Sequence, residues 1–438
     1  MTHFAQPARL TYVSRITAGS RGLRWPLVLF LIVVFFVPDQ DLFYSQKFAE
    51  GFIFDPVLTT KGITEGTPSR EVALLALGMF GVITLFGRRH QASQGNGWLG
   101  GIIVLYLSWS FLSILWAEDV SLTFRRLIVL LMLCLGAVAA SRHLWRENLV
   151  RFTFYSAGFY LVVGILAEII LGTFHPSLAG YRFSGTNHPN HQGWNCALLL
   201  LASVCASRYR ARGRRTFQLC AGIALVFLVL TRSRTAFGSV ILCLFVYCIL
   251  VWARSRKLAA VFCVGTALTL LLFLFGDRTP PTLRGVALLG RDNPSSVEDL
   301  TGRLPLWQEC LKYVAKRPLL GYGYGGFFTG RHVIEVSGTS PWGPAGAHSI
   351  YVDSLLDLGA IGPLALALIF FLGIKRSISH YREGSDPQFA FAAVLLLFCA
   401  LDGVMESITS NLELPTFLCM VVLSRLAFRW LPQNVRRA

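Results

Sequence analysis

Residues 98–116 read WLGGIIVLYLSWSFLSILW and contain no charged side chain. Coiled into a helix at 1.5 Å per residue, this run reaches about 28 Å. That is close to the roughly 30 Å of hydrocarbon in a bilayer, which asks for about 20 apolar residues per crossing. Working outward, eleven further runs of this kind appear, at 23–38, 72–87, 127–140, 152–172, 192–207, 217–231, 235–252, 258–275, 350–374, 389–409 and 416–431. The expected fold class is an all-α polytopic membrane protein with about twelve transmembrane helices. Its expected organisation is spans one to nine over 1–275, a long outer loop over 276–349, and spans ten to twelve over 350–438. The first run follows a long basic leader, and no small-x-small cleavage site follows Pro38, so it reads as a retained helix rather than a signal peptide.

Composition agrees. Of 438 residues, 54% are hydrophobic and only 14% charged, against about 25% charged in a soluble domain. The formal net charge of +17 raises the question of a nucleic-acid partner. Its distribution answers it. With the connections numbered alternately from the N-terminus, one side holds 24 of the 40 basic residues, matched there only by Glu147, Glu383 and Asp386. Such bias marks the cytoplasmic face. It predicts cytoplasmic N- and C-termini, and needs no nucleic acid. Nine of the ten cysteines fall in apolar runs and no CxxC occurs, so they read as small packing residues.

The loop is too long for a plain connector, and such loops are usually functional. It opens on turn residues at 277–281 and 292–294. Ser295 and Glu298 then stand at capping-box spacing. A helix is expected over 301–316, with Leu304, Trp307, Leu311 and Val314 as its apolar stripe and Arg303 close to it. Arg317-Pro318 ends it, and the turn Gly321-Tyr322-Gly323-Tyr324-Gly325-Gly326 follows.

Charged groups near membrane depth default to functional readings. Here they gather at the outer side. Arg182 leads toward span six, Arg232 and Arg234 fill a short connection, Arg303 lies in the loop helix, and His348 leads into span ten. Acids accompany them: Glu168, the helically spaced Asp353 and Asp357, and Asp402 and Glu406. The plain readings are interfacial arginines that snorkel and acids that pair with them. The conjunction points further. Guanidinium groups are favoured bidentate partners of phosphate, so several Arg and a His on one face suit a lipid-linked phosphate or diphosphate. His188 and His191 have a spacing seen in metal sites, but no third ligand of matching spacing is evident. Asp39-Gln40-Asp41 reads as a pair of interfacial acids, with an acidic motif of the membrane-glycosyltransferase kind as the alternative.

Several stretches resemble the superfamily of O-antigen ligases and O-antigen/exopolysaccharide polymerases of bacterial inner membranes. They are Arg182-x-x-Gly185 with His188-Pro189-Asn190, Ser233-Arg234-Thr235-Ala236, Gly302-Arg303-x-x-x-Trp307, Arg317-Pro318-Leu319-Leu320-Gly321-Tyr322-Gly323, His348-Ser349-x-Tyr351 and Gly359-x-x-Gly362. Ser349 departs from the Asn that often follows the His there. The resemblance implies a GT-C-like architecture. It also implies an inverting, metal-independent glycosyl transfer at the periplasmic face, with no cofactor. The donor is a glycan on undecaprenyl diphosphate, and the acceptor is a lipid-linked glycan or lipid A–core. In this reading Arg182 and Arg234 hold the diphosphate, Arg303 is a third contact, and His348 is the general base or orients the acceptor hydroxyl. Trp307, Tyr322, Tyr351 and Asp353 are candidate acceptor or sugar contacts, and Asp353 could also orient His348. The run 317–327 leans toward the polymerase branch; a ligase or a protein O-glycosylating relative is the alternative. A twelve-span transporter or lipid flippase is the rival class. It calls for internal repeats, broken spans in matching halves and charges near mid-membrane; no repeat is found and the polar clusters are one-sided.

Overall fold

The computed structural model describes residues 25–51, 66–87, 93–95, 97–145, 148–178, 180–209, 213–251, 265, 303–337, 346–407 and 413–430. Their helices, in chain order, are α1 (Trp25–Phe36), α2 (Tyr44–Ala49), α3 (Pro68–Phe86), α4 (Gly97–Leu112), α5 (Val120–His143), α6 (Asn148–Ile170), α7 (Pro189–Tyr209) and α8 (Arg214–Leu230). There follow α9 (Arg234–Val251), α10 (Arg303–Lys316), α11 (Gly330–Ser337), α12 (Ile350–Leu358), α13 (Ile361–Gly384), α14 (Pro387–Asp402) and α15 (Leu414–Ala427). Six are long and apolar enough to cross a membrane: α3, α4 with the 3-10 turn that continues it, α5, α6, α9 and α13. The chain is a polytopic membrane protein. The expected ninth span and the capping box at Ser295 and Glu298 lie outside the described residues.

Two helices form the middle of the bundle. Fifteen of the 21 residues of α7 and 11 of the 16 of α14 are buried, on all sides of each helix. A helix apolar all round has to be enclosed on every side. Accordingly α7 packs on α6, α8, α9 and α14, and α14 packs on α9 and α13. The outer helices instead leave Leu75, Ile83, Leu105, Ile169, Val226 and Phe371 exposed, as lipid-facing surfaces do. One short ladder qualifies the all-α expectation: β1 (Ser93–Gly95) pairs antiparallel with β2 (Phe428–Trp430). It joins two segments that the charge pattern assigns to the same side. The described cysteines are free thiols, as packing residues should be.

Three expectations are corrected. The run 350–374 is two helices, because the chain breaks at Gly359. That residue has φ +65, and a Cβ there would lie 2.2 Å from the Leu319 backbone. The nine residues of α12 span only about 14 Å. The run 389–409 is helical only to Asp402. Beyond it the Gly403 carbonyl accepts the Ile350 N–H at 2.9 Å, so Glu406 lies in an irregular segment and not one helical turn above Asp402. In α10 the buried face is Arg303, Leu306 and Cys310, while Leu304 and Leu311 point outward. The face is turned by Arg303, which reaches inward. A small core of Leu306, Cys310, Tyr322, Phe327, Val336, Ala347 and Leu356 binds the described part of the loop to α12.

Candidate active site

The site forms where helix ends meet. The N-termini of α7, α10 and α12 converge on one carboxylate, Glu406, just past the end of α14. Asn190 Nδ2 donates to Glu406 Oε1 at 2.6 Å. Arg303 pairs with the same oxygen. His348 Nδ1 lies 3.5 Å from Oε2. The Glu406 side chain is 4% exposed, and burial alone would push its carboxyl up. The His348 contact and the positive charge of Arg303 outweigh burial and hold it down at about 2. Glu406 is therefore a fixed negative charge at neutral pH.

Arg182 joins through Asn190. Its Nη2 donates to Asn190 Oδ1 at 2.9 Å, and its Nε donates to the Thr231 carbonyl at 3.0 Å. The turn carrying it is tied down by Glu168, which accepts from the N–H groups of Ser184 and Gly185 at 2.9 and 2.7 Å and from the Tyr181 hydroxyl. So Glu168 shapes this turn and leaves Arg182 to the site. Thr231 in turn opens the connection Arg232-Ser233-Arg234. Arg234 begins α9, close enough to Arg303 for their like charges to repel. Arg303 and His348 thus touch Glu406, Arg182 reaches it through Asn190, and Arg234 lies near Arg303, so guanidinium groups outnumber the carboxylate at their centre. Helix N-termini add partial positive charge and N–H donors, which favour anions.

The backbone at the site is constrained. Non-glycine residues with positive φ are Arg232, His348 and Ser385 among the described residues, and two of these three belong here. Such conformations persist where the surroundings impose them, and they cluster at functional sites. Ser349 has a plain role: its hydroxyl accepts the Val352 N–H at 3.5 Å and caps α12. Ser is among the best N-caps, so the departure from Asn leaves the helix start intact.

Other expected site residues are engaged elsewhere. The Tyr322 hydroxyl donates to the Tyr313 carbonyl at 3.0 Å, within an aromatic cluster of Tyr313, Phe327 and His332. The Tyr351 hydroxyl donates to the Ala400 carbonyl at 3.0 Å and pins α12 to α14. Trp307 Nε1 donates to the Ala347 carbonyl at 2.8 Å, beside His348. Asp353 accepts from the Ala347 N–H at 2.7 Å and from the Ser407 hydroxyl. Glu406 was legible in the sequence only as a partner for an arginine, and its central place follows from the packing. The bridging role of Asn190 has a sequence signal, its place in the quoted motif with His188 and Pro189.

Next to this site Asp39, His191 and Glu413 bring one potential ligand atom each within 4.8 Å of one another. This donor set could hold a divalent cation. The positive charge of Arg70 already acts on both carboxylates there. Asp39 also accepts from Gln40 at 2.8 Å and Asn187 at 2.9 Å, tying the first connection to the 186–187 turn, while burial raises its carboxyl to about 7. Asp41 pairs with Lys47. Burial pushes the His188 imidazole down to about 3, helped by the positive charge of Arg182, so it stays neutral.

Part of the chain is similar to known proteins. Residues 219–367 match the O-antigen ligase family, a stretch that includes Arg234, Arg303 and His348. The chain is also 24% identical over 236 residues to the ComP-specific O-oligosaccharyltransferase of Acinetobacter baylyi. That alignment covers 52% of this chain and 42% of the relative, less than half of the latter's length. The stretch 219–367 thus resembles O-antigen ligases, within a chain that is a polytopic membrane protein.

Proposed function

We propose that the chain transfers a glycan from a lipid-linked diphosphate donor to an acceptor hydroxyl at the outer face of the bacterial inner membrane. The observation that carries this reading is the meeting of Arg182, Arg303 and His348 around Glu406, with Arg234 beside them. The guanidinium groups and the N-termini of α7, α10 and α12 hold the diphosphate of an undecaprenyl-linked glycan. The acceptor oxygen attacks the anomeric carbon, the bond from that carbon to the diphosphate oxygen breaks, and the configuration inverts. Charge builds on the departing diphosphate, where preorganised donors are most effective. His348 takes the hydroxyl proton, and Glu406 fixes the ring through Nδ1 and offsets the imidazolium charge that forms. None of these steps calls on a metal or a cofactor.

The acceptor is the finer question. The run 317–327 favoured a polymerase, but its residues are engaged in fastening the loop, so they carry no argument about the acceptor. The names of the matched family and relative favour ligase-type transfer onto lipid A–core or a protein. The test is reconstitution with a lipid-linked oligosaccharide, offering lipid A–core and a second lipid-linked repeat as acceptors. Glycosylated product with release of undecaprenyl diphosphate is expected, with lipid A–core the better acceptor. Arg234→Ala and His348→Ala should abolish product at normal expression. Full activity in either would reject the assigned roles, and flux of lipid-linked glycan without a new bond would favour a transporter.

A further inference from the structure

We infer that Asp353 is a positioning residue, with Trp307 as its counterpart: together they fix the backbone on either side of the His348–Glu406 contact. This rests on the glycan-transfer reading above. Glu406 and His348 come from segments far apart in sequence, and neither lies within a helix. Something has to set their separation. Asp353 is the side chain that touches both segments. Its Oδ1 accepts the Ala347 N–H at 2.7 Å, next to His348, and its Oδ2 accepts the hydroxyl of Ser407, next to Glu406. At the other backbone group of the same residue, in the peptide that leads into His348, Trp307 Nε1–H donates to the Ala347 carbonyl at 2.8 Å. A second strap runs from Ile350 N–H to the Gly403 carbonyl at 2.9 Å.

The chemistry of the position explains the residue types. Ala347 is fully buried, so its N–H and carbonyl need internal partners. His348 has φ +51, a left-handed conformation that a side-chain-bearing residue keeps only where its neighbours impose it. A carboxylate offers two acceptor oxygens, one for each segment, on the first turn of α12 where the helix dipole favours negative charge. Both oxygens being taken, Asp353 acts on the backbone carrying the imidazole rather than on the ring. Trp307 is likewise committed through its N–H, which accounts for an indole here without a stacked sugar.

The test uses the full-length protein in proteoliposomes, with a lipid-linked oligosaccharide donor, and separates kcat from KM. A catalytic pair misplaced by about 1 Å loses on the order of 100-fold in rate. Asp353→Ala should therefore lower kcat about 100-fold and leave the donor KM within about twofold. Asp353→Asn keeps an acceptor for Ala347 and gains an N–H that the Ser407 oxygen can accept, so it should stay within about tenfold of wild type. Ser407→Ala should lose less than Asp353→Ala, and the double variant should lose no more than Asp353→Ala alone, because Ser407 acts through Asp353. If Asp353→Ala does not yield folded protein, Trp307→Phe, which keeps an aromatic ring but loses the N–H together with the rest of the pyrrole ring, should lower kcat about tenfold at unchanged KM. A kcat near wild type in Asp353→Ala or Trp307→Phe, while His348→Ala is inactive, would overturn the clamp and leave the transfer reading standing. So would multiplying losses in the double variant. An active His348→Ala would instead overturn the transfer reading.

Discussion

Asp353 and Asp357 stand one turn apart on α12, and the structure gives them opposite duties. Asp353 faces the segments that carry His348 and Glu406. Asp357 faces the glycine-rich turn: its carboxylate accepts the Gly325 N–H at 2.9 Å and its carbonyl accepts the Gly323 N–H at 2.9 Å. Around Asp357 the contacts are those of a fastener. The Tyr322 N–H bonds the Leu356 carbonyl at 2.9 Å, Tyr324 N–H bonds Ser113 Oγ at 2.9 Å, and the Trp116 and Trp109 indoles bond the Leu320 and Leu358 carbonyls. Around Asp353 the contacts hold charged groups in place. One short helix therefore joins an anchoring region to the candidate site, and residue type alone does not separate the two.

The contrast can be broken most directly at Glu406. Glu406→Gln should lower the transfer rate by about 10²–10⁴-fold, the range expected when a general base loses its arrangement. Like the anchoring variants it should also cost stability, because removing one partner of a buried ion pair costs about 3–5 kcal/mol; unlike them it should cost turnover as well. Turnover of reconstituted protein and thermal unfolding in detergent check the two halves. Turnover near wild type would mean that His348 works without its carboxylate.

At the anchoring end the expected effect is smaller and falls on stability alone. Gly323 has φ +99, and a Cβ there would lie 2.6 Å from Ala117 Cβ and 2.8 Å from Thr123 Oγ1. Gly323→Val should cost about 1–3 kcal/mol through backbone strain and overpacking. The melting temperature should fall, while kcat per folded molecule and donor KM stay within about twofold. A large rise in KM with unchanged melting temperature would move this turn from the fastening to the substrate.

What the sequence revealed follows the same division. Long apolar runs are legible because a bilayer demands length and the absence of charge, both of which are local properties. Arg182, Arg234, Arg303 and His348 stood out because charge near the membrane is costly. The break at Gly359 was hidden, since it depends on the Leu319 backbone packing against it. The place of Glu406 was hidden too, because a helical count from Asp402 carries on past the point where Gly403 turns to bond Ile350. Trp307, Tyr322 and Tyr351 look alike as candidate sugar contacts. Only their partners tell them apart: two backbone carbonyls in the anchoring core and the bundle, and one beside the catalytic candidate.

The smallest expected effect decides most sharply whether that last distinction is right. Tyr322 is 3% exposed and its hydroxyl is committed to the Tyr313 carbonyl. Arg317 lies over its ring with its guanidinium carbon 4.8 Å from the centroid, and Phe327 and His332 close the cluster. Tyr322→Phe keeps the ring and removes one hydrogen bond, leaving the Tyr313 carbonyl to find another donor. The expected loss is about 0.5–1.5 kcal/mol of stability, read as a small drop in melting temperature. Donor and acceptor KM should not change, because a ring enclosed by its neighbours has no face left for a sugar. A severalfold rise in acceptor KM would return Tyr322 to the sugar-contact role that its sequence motif first suggested, and would extend the reacting region across α12 to the turn that Asp357 holds.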